Sequence, residues 1–280
     1  MKRETAQQSA ISVAIEIDNP ATACDLLASR TGISKTKIKD AMNKGAVWLR
    51  RKGKMQRLRK ATTLLRTGDH IELHYDERLL SVPPPDAVMI SDRVHYSVWF
   101  KPAGLMAQGT MFGDHCSLLR QVERHFHLER PALPVHRLDR EAAGLMLVAH
   151  GREAAARLSA LFRDRQITKE YRVELLGDMG EEGGMGSITL PLDGKEAVTD
   201  YAVISHGPAR KTTVVSAFIA TGRFHQIRRH FAMAGHPVMG DPRYGKGNKN
   251  REGMKLTAVS LKFTCPFTKK DVQFSVPLKK

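Results

Sequence analysis

The sequence predicts an α+β protein of two parts, a small helix-and-hairpin domain followed by a larger, mixed and strand-rich one. Three observations carry that expectation: the consecutive prolines Pro83, Pro84 and Pro85, a concentration of positive charge ahead of them, and alternating strand-like runs with isolated helical stripes after them. At 280 residues the chain is long enough to bury a core in each of one or two domains.

The balance of 45 Lys+Arg against 29 Asp+Glu gives a net charge of +16. That excess implies a polyanionic partner, with nucleic acid ahead of an anionic membrane surface. Cys24, Cys116 and Cys265 are odd in number and far apart, which argues against a disulfide framework or a zinc knuckle and for reduced thiols. The apolar stretch from Ile11 to Ile15 is short and broken by Glu16, so neither a signal peptide nor a membrane span is supported. A soluble, cytoplasmic monomer is expected.

Residues 1–20 carry little pattern. Thr22 has Asp25 three positions on, then the Leu26-Leu27 pair and a terminating Gly32, which together predict a short helix. Ser34 caps a second helix from Lys35 to Lys44, with Ile38, Ala41 and Met42 on its apolar side. Val47 to Leu49 and His70 to Tyr75 read as strands, the latter in strict alternation after the turn Thr67-Gly68-Asp69. Between Arg30 and Arg66 there are thirteen basic residues and a single acid, Asp40. A charge run is ordinarily a solvated face, but so dense a one on a compact unit repels itself unless phosphates neutralise it. Lys35, Lys37, Lys39, Arg50 and Arg51 are the candidates for such contacts. Two short helices, a Gly-led strand, a basic turn and Gly68-Asp69-His70-Ile71-Glu72-Leu73 resemble, over residues 20–78, the αL RNA-binding domain of the ribosomal-protein S-four type. That resemblance implies binding to structured RNA through shape and backbone.

Three prolines in a row continue neither a helix nor a central strand. They place the domain boundary near residue 84, with residues 1–82 before a linker at 83–87 and the larger domain at 88–280. In this second part Val94 to Phe100 predicts a strand, Arg152 to Gln166 a helix with the stripe Ala155, Leu158, Leu161 and Phe162, and Lys169 to Leu175 a strand. Gly177 to Gly186 lacks the setting of a phosphate loop and reads as a hairpin connection. Further strands are expected at Thr199 to Ile204, Thr212 to Ala220, Leu256 to Phe263 and Val272 to Val276. A helix carrying Ile227, Phe231 and Ala234 closes at Gly235, and the basic, polar stretch 245–253 is expected to be mobile.

The sequence has no zinc-protease histidine pair, Walker loop, nucleophile elbow or dinucleotide fingerprint. His125/His127 and His225/His230 lack a convincing third ligand, so neither metal nor cofactor is expected. What stands out is His136-Arg137-Leu138-Asp139-Arg140, running through Gly144 into Leu145 to Ala149. This places the Asp139 carboxylate at the mouth of a strand, where it can face a cleft. A loop aspartate paired with a neighbouring arginine is the alternative. With Tyr171 and the segment Arg223 to Arg229, Asp139 makes a set able to run nucleophilic or acid/base chemistry.

Lys101-Pro102-Ala103-Gly104-Leu105, then His136-Arg137-Leu138-Asp139, Lys169-Glu170-Tyr171, Thr221-Gly222-Arg223-Phe224-His225-Gln226-Ile227-Arg228, Gly235-His236-Pro237 and Gly240-Asp241-Pro242-Arg243-Tyr244-Gly245 resemble, in order and over about residues 92–278, the RluA-type pseudouridine synthases. The resemblance implies a mixed, mainly antiparallel sheet with flanking helices, and isomerisation of uridine to pseudouridine in RNA without metal or cofactor. It implies Asp139 as nucleophile attacking base or sugar, Tyr171 stacked on the flipped base and assisting at C5, and Arg228 paired with the carboxylate. Arg137 would fill the space the flipped base leaves. Lys101 is either an RNA contact or a turn residue shaping the cleft, and His225 and Gln226 are supporting groups. Two departures stand out: Ala142-Ala143 where the family usually has Thr-Ser, and Phe224 where threonine is frequent. Family analogy points to large-subunit ribosomal RNA, with transfer RNA next. A non-catalytic RNA-binding factor on the same scaffold and a DNA-binding protein are the readings from other classes.

Overall fold

The structure, a computed structural model, describes residues 10–245, 248, 250 and 252–276. The first nine residues of the patternless N-terminal segment and residues 246, 247, 249 and 251 of the basic 245–253 stretch lie outside the described residues, so the mobility expected of that stretch lies outside them too. The chain forms two compact units, one of residues up to 84 together with 108–120, the other of residues 85–107 and 121 onward. Residues 108–120, assigned to the second domain from sequence, therefore pack with the first unit.

In the first unit the Ala23–Thr31 helix begins at Thr22, whose side chain accepts from the Asp25 N–H. It ends at Gly32, whose φ of 72° only glycine adopts cheaply. Ser34 caps the Lys35–Asn43 helix, which buries Ile38, Ala41 and Met42. Both helices cover an antiparallel sheet in the order Ile11–Glu16, His70–Tyr75, Val47–Arg51, Lys54–Arg57. The Ile11–Glu16 edge strand corrects the reading of residues 1–20 as patternless. Its alternation of half-buried and exposed residues is weak in sequence, and pairing with His70–Tyr75 supplies what it lacks.

The second unit is a mixed sheet, and its principal path runs Met185–Ile188, Thr199–His206, Thr212–Ile219, Thr168–Leu176, Leu256–Thr264, Ala143–Ala149, Tyr96–Lys101, Val88–Asp92. Every pairing in it is antiparallel except one, where Ala143 and Gly144 lie parallel to Thr257 and Ala258. The Ala143–Ala149 strand is buried from Gly144 onward, as expected of a central strand with a continuous apolar run. Its Leu145 and Leu147 form a core with Val98, Leu261 and Phe263, against which the Arg152–Arg163 helix sets Ala154 and Leu158. No helix among the described residues is long and apolar enough to cross a membrane.

Candidate active site

The position of Asp139 follows from the strand it precedes. At Gly144 the backbone turns to φ 125°, and a Cβ there would stand 2.4 Å from the Ala258 backbone N and O. Only glycine permits the parallel contact that seats this strand. Ahead of it the loop is closed by the Ala142 N–H donating to the Asp139 carbonyl at 3.2 Å. It is clasped from the other side by residues 101–105. The Lys101 ammonium donates to the carbonyls of Ala142 (2.6 Å), Leu105 (2.8 Å), Pro102 (3.1 Å) and Arg140 (3.4 Å), and Gly104 N–H donates to the Arg140 carbonyl at 2.7 Å.

Lys101 is fully buried, and burial pushes its pKa down to about 8 against the opposing charges of Asp139 and Glu141. This corrects the expectation of an RNA contact there: no part of Lys101 reaches the surface, and its charge is used to gather loop carbonyls. The same clasp bears on Ala142-Ala143. The Lys101–Ala142 carbonyl bond holds the loop through its backbone where the usual hydroxyls are missing.

Arg228 sits in the Gln226–Met233 helix, whose start is fixed by the buried Gln226 amide. Its oxygen accepts from the Thr221 hydroxyl (2.6 Å) and the Arg223 N–H (3.1 Å), and its nitrogen donates to the Val198 carbonyl (2.8 Å). The Arg228 guanidinium, 2% exposed, donates from Nη1 to Asp139 Oδ2 at 3.0 Å. Its other edge forms a fork on Asp241, Nε to Oδ2 at 2.7 Å and Nη2 to Oδ1 at 2.9 Å. Burial opposes the charge on Arg228, yet the bonds to Asp241 and Asp139 prevail and raise its pKa. Asp241 is completely buried and also accepts the N–H groups of Arg243 (2.8 Å) and Tyr244 (3.0 Å). Burial alone would raise its pKa, but Arg228 and these two amides lower it. Asp241 is the site residue that sequence reasoning quoted without assigning a role. An aspartate opening an Asp-Pro-Arg-Tyr turn after a glycine was the available signal.

Asp139 opens onto a cavity of about 650 Å³ lined also by Arg137, Tyr171, Lys169, His225 and Phe224. Such a volume accommodates a small ligand or a single extruded nucleotide. Tyr171 is buried, and burial together with the charge of Asp139 raises its pKa, so its phenol stays protonated. His225 adopts the left-handed conformation (φ 53°) before the helix, which sets its Nε2 3.6 Å from Asp139 Oδ1 while Nδ1 meets the Tyr244 hydroxyl at 3.0 Å. Burial lowers its pKa against the pull of Asp139. His136, stacked on Phe162 at 4.3 Å, accepts the Leu147 N–H on Nε2 at 2.9 Å, and burial pushes its pKa down to about 3. Arg137 is exposed at the cavity. Lys169, two residues before Tyr171 on the same buried face, has a single hydrogen-bond acceptor among the described residues, the Thr221 carbonyl at 3.3 Å.

The first unit holds the remaining candidates. Lys35 pairs with Asp25 (2.6 Å), Lys37 with Glu77 (2.7 Å) and Arg50 with Glu16 (3.2 Å), all exposed, and Lys39 is exposed without an ion pair among the described residues. Arg51 has a partner inside the fold. Its guanidinium grips buried Asp69 through Nε (2.9 Å) and Nη2 (2.5 Å) and donates to the Leu64 carbonyl, so it anchors the turn before the His70–Tyr75 strand. Arg57 and Arg59 likewise converge on Asp114, from the 108–120 segment, at 3.1 and 2.5 Å.

Comparison with known proteins agrees with this geometry. Residues 95–233 match the family model described as RNA pseudouridylate synthase. A protein described as an uncharacterized RNA pseudouridine synthase of Aquifex aeolicus is 32% identical over 237 residues, covering 76% of this chain and 72% of that one. The dual-specificity RNA pseudouridine synthase RluA of Pasteurella multocida is 32% identical over 71% of this chain and 98% of its own length, and the ribosomal large subunit pseudouridine synthase D of Vibrio cholerae 35% identical over 51% and 52%. Among solved structures, human RNA pseudouridylate synthase domain containing 1 superposes with a TM-score of 0.58 at 24% identity, over 70% of this chain and 86% of that one, a likeness of fold. With Asp139, Tyr171 and Arg228, from three of the ordered motifs, lining a single cavity and the matches to relatives spanning most of the chain, this protein belongs to the RluA-type RNA pseudouridine synthases.

Proposed function

We propose that the protein converts specific uridines of large-subunit ribosomal RNA to pseudouridine in the cytoplasm, with Asp139 as the nucleophile. The observation that carries this reading is the state of that carboxylate. Oδ2 accepts from Arg228 at 3.0 Å, whereas Oδ1 has no hydrogen bond among the described residues, with His225 Nε2 3.6 Å away, in a residue that lines the cavity. In the reaction the N1–C1′ bond breaks, the uracil turns, and a C5–C1′ bond forms while C5 loses its proton and N1 gains one. Composition is unchanged. The target base leaves its stack to enter the cavity, and exposed Arg137 occupies the space it vacates. A phenol kept protonated by burial is a poor base, so Tyr171 acts by packing against the uracil and donating a hydrogen bond.

Residues 20–78 act as an αL-type RNA-binding domain. Exposed Arg30, Lys39, Lys52, Lys54, Lys60 and Arg66, none with an ion pair among the described residues, support phosphate contacts there. The choice of large-subunit ribosomal RNA is favoured by relatives named for that substrate. Asp139→Asn is expected to lower tritium release from a 5-tritiated uridine transcript at least about a thousandfold with the fold intact. Turnover near the parent's would remove Asp139 as the nucleophile. Carbodiimide maps of pseudouridine in cells with and without the protein test the target, and a site lost from transfer RNA instead would reassign it.

A further inference from the structure

Among the described residues, Phe224 is the one large apolar side chain that is both strongly exposed, at 51%, and part of the lining of the Asp139 cavity. Its ring lies nearly parallel to the His225 imidazole, centroids 3.7 Å apart and planes 20° apart. His225 is braced in turn, edge-on to the Tyr244 ring at 5.6 Å and hydrogen-bonded to its hydroxyl. Tyr244 is tied down through its N–H to Asp241, which Arg228 grips. One face of Phe224 is thus backed by a stack running down to the buried ion network, so the exposed part of the ring is held in a fixed orientation. Arg243 places its guanidinium 5.7 Å from the ring centroid and is exposed, and Arg223 stands beside Phe224 in the same lining. A rigid, half-exposed aromatic with cations around it is the arrangement that takes a nucleobase on its face and the neighbouring phosphates on its flanks.

Extruding a uridine leaves an adjacent base without one of its stacking partners. Arg137 fills the gap left inside the stack, and we propose that Phe224 takes a base flanking that gap: a stacking platform for a nucleobase next to the flipped uridine, which governs RNA affinity and sequence context and leaves the chemical step alone. This inference rests on the function proposed above. A competing role for the ring is to shield His225 and Asp139 from water, which any bulky apolar side chain would also do.

The test compares Phe224→Ala, Phe224→Leu and Phe224→Trp with the parent on a large-subunit ribosomal RNA transcript, reading KM and kcat by tritium release and affinity by filter binding. Stacking predicts that Ala and Leu each raise KM and Kd about tenfold while kcat stays within about twofold, and that Trp matches the parent. Leu restoring affinity, Ala leaving KM unchanged, or a loss confined to kcat would each overturn the stacking role. Because the side chain is half exposed, thermal melting of each variant within a few degrees of the parent certifies the fold. If the parent itself releases no tritium from the transcript, the target assignment fails, and the order of filter-binding affinities, Phe and Trp above Leu and Ala, still decides the platform.

Discussion

Arg228 and Lys39 carry the same formal charge in opposite surroundings. Arg228 is 2% exposed between Asp139 and Asp241, with every edge of its guanidinium directed at an acceptor. Lys39 stands in solvent on the first unit, among cations whose partners are exposed acids such as Asp25, Glu77 and Glu16. Where water is excluded a charge has to be matched in geometry as well as sign, and what results is orientation. Where water is present the charges act through their sum and are screened by salt. The first arrangement aims a carboxylate, and the second sets a diffuse positive field at the surface.

Removing a member of each group separates the two regimes. Arg228→Met leaves Asp139 and Asp241 facing a neutral side chain, and activity should fall by at least about a thousandfold together with about 3–5 kcal/mol of stability, measured by tritium release and urea unfolding. Wild-type stability in this variant would show that the buried network is not what holds the site. Gly144→Ala forces a methyl group against the Ala258 backbone in a strained conformation, with an expected cost of about 3 kcal/mol or more in the same unfolding assay.

His136 gives a pH signature. Its pKa falls from about 6.5 unfolded to about 3 folded, so between these values the unfolded chain binds the extra proton. Its contribution is complete above pH 6.5 and is lost as pH falls toward 3. His136→Gln should therefore flatten the acid limb of stability against pH by close to one proton, and an unchanged slope would mean His136 is charged in the fold. The smallest effect is expected at Lys39: Lys39→Ala should reduce the salt dependence of RNA binding, log Kd against log salt, by about one unit of slope without altering kcat. A changed kcat with an unchanged slope would break the division of labour between the two regions.

The density of positive charge in residues 30–66 is real in sequence, but part of it is opposed in the fold. Glu16, Asp69, Glu77 and Asp114 lie outside that window and are brought to it only by folding, where they pair with Arg50, Arg51, Lys37, and Arg57 with Arg59. A charge count along the chain cannot see partners that a sheet register or a distant segment delivers. The helix caps at Thr22 and Ser34 were legible because they act within four residues, whereas the Ile11–Glu16 strand was not, because its pairing partner begins more than fifty residues on.

The candidate site divides in the same way. By itself the sequence determined where Asp139 stands relative to its strand, since an apolar run after a glycine is a local property. It also carried the order of motifs that marks the family. Tertiary structure alone decided which of these charges face the cavity and which are used inside the fold. Lys101 turned inward onto four carbonyls, Asp241 became the second grip on Arg228, and His136 became an acceptor for a strand amide. The physical reason is desolvation: a charged or titratable group chooses between solvent, ligand and protein partners only once the surrounding chain has closed, and the linear sequence does not state which partners will then be within reach.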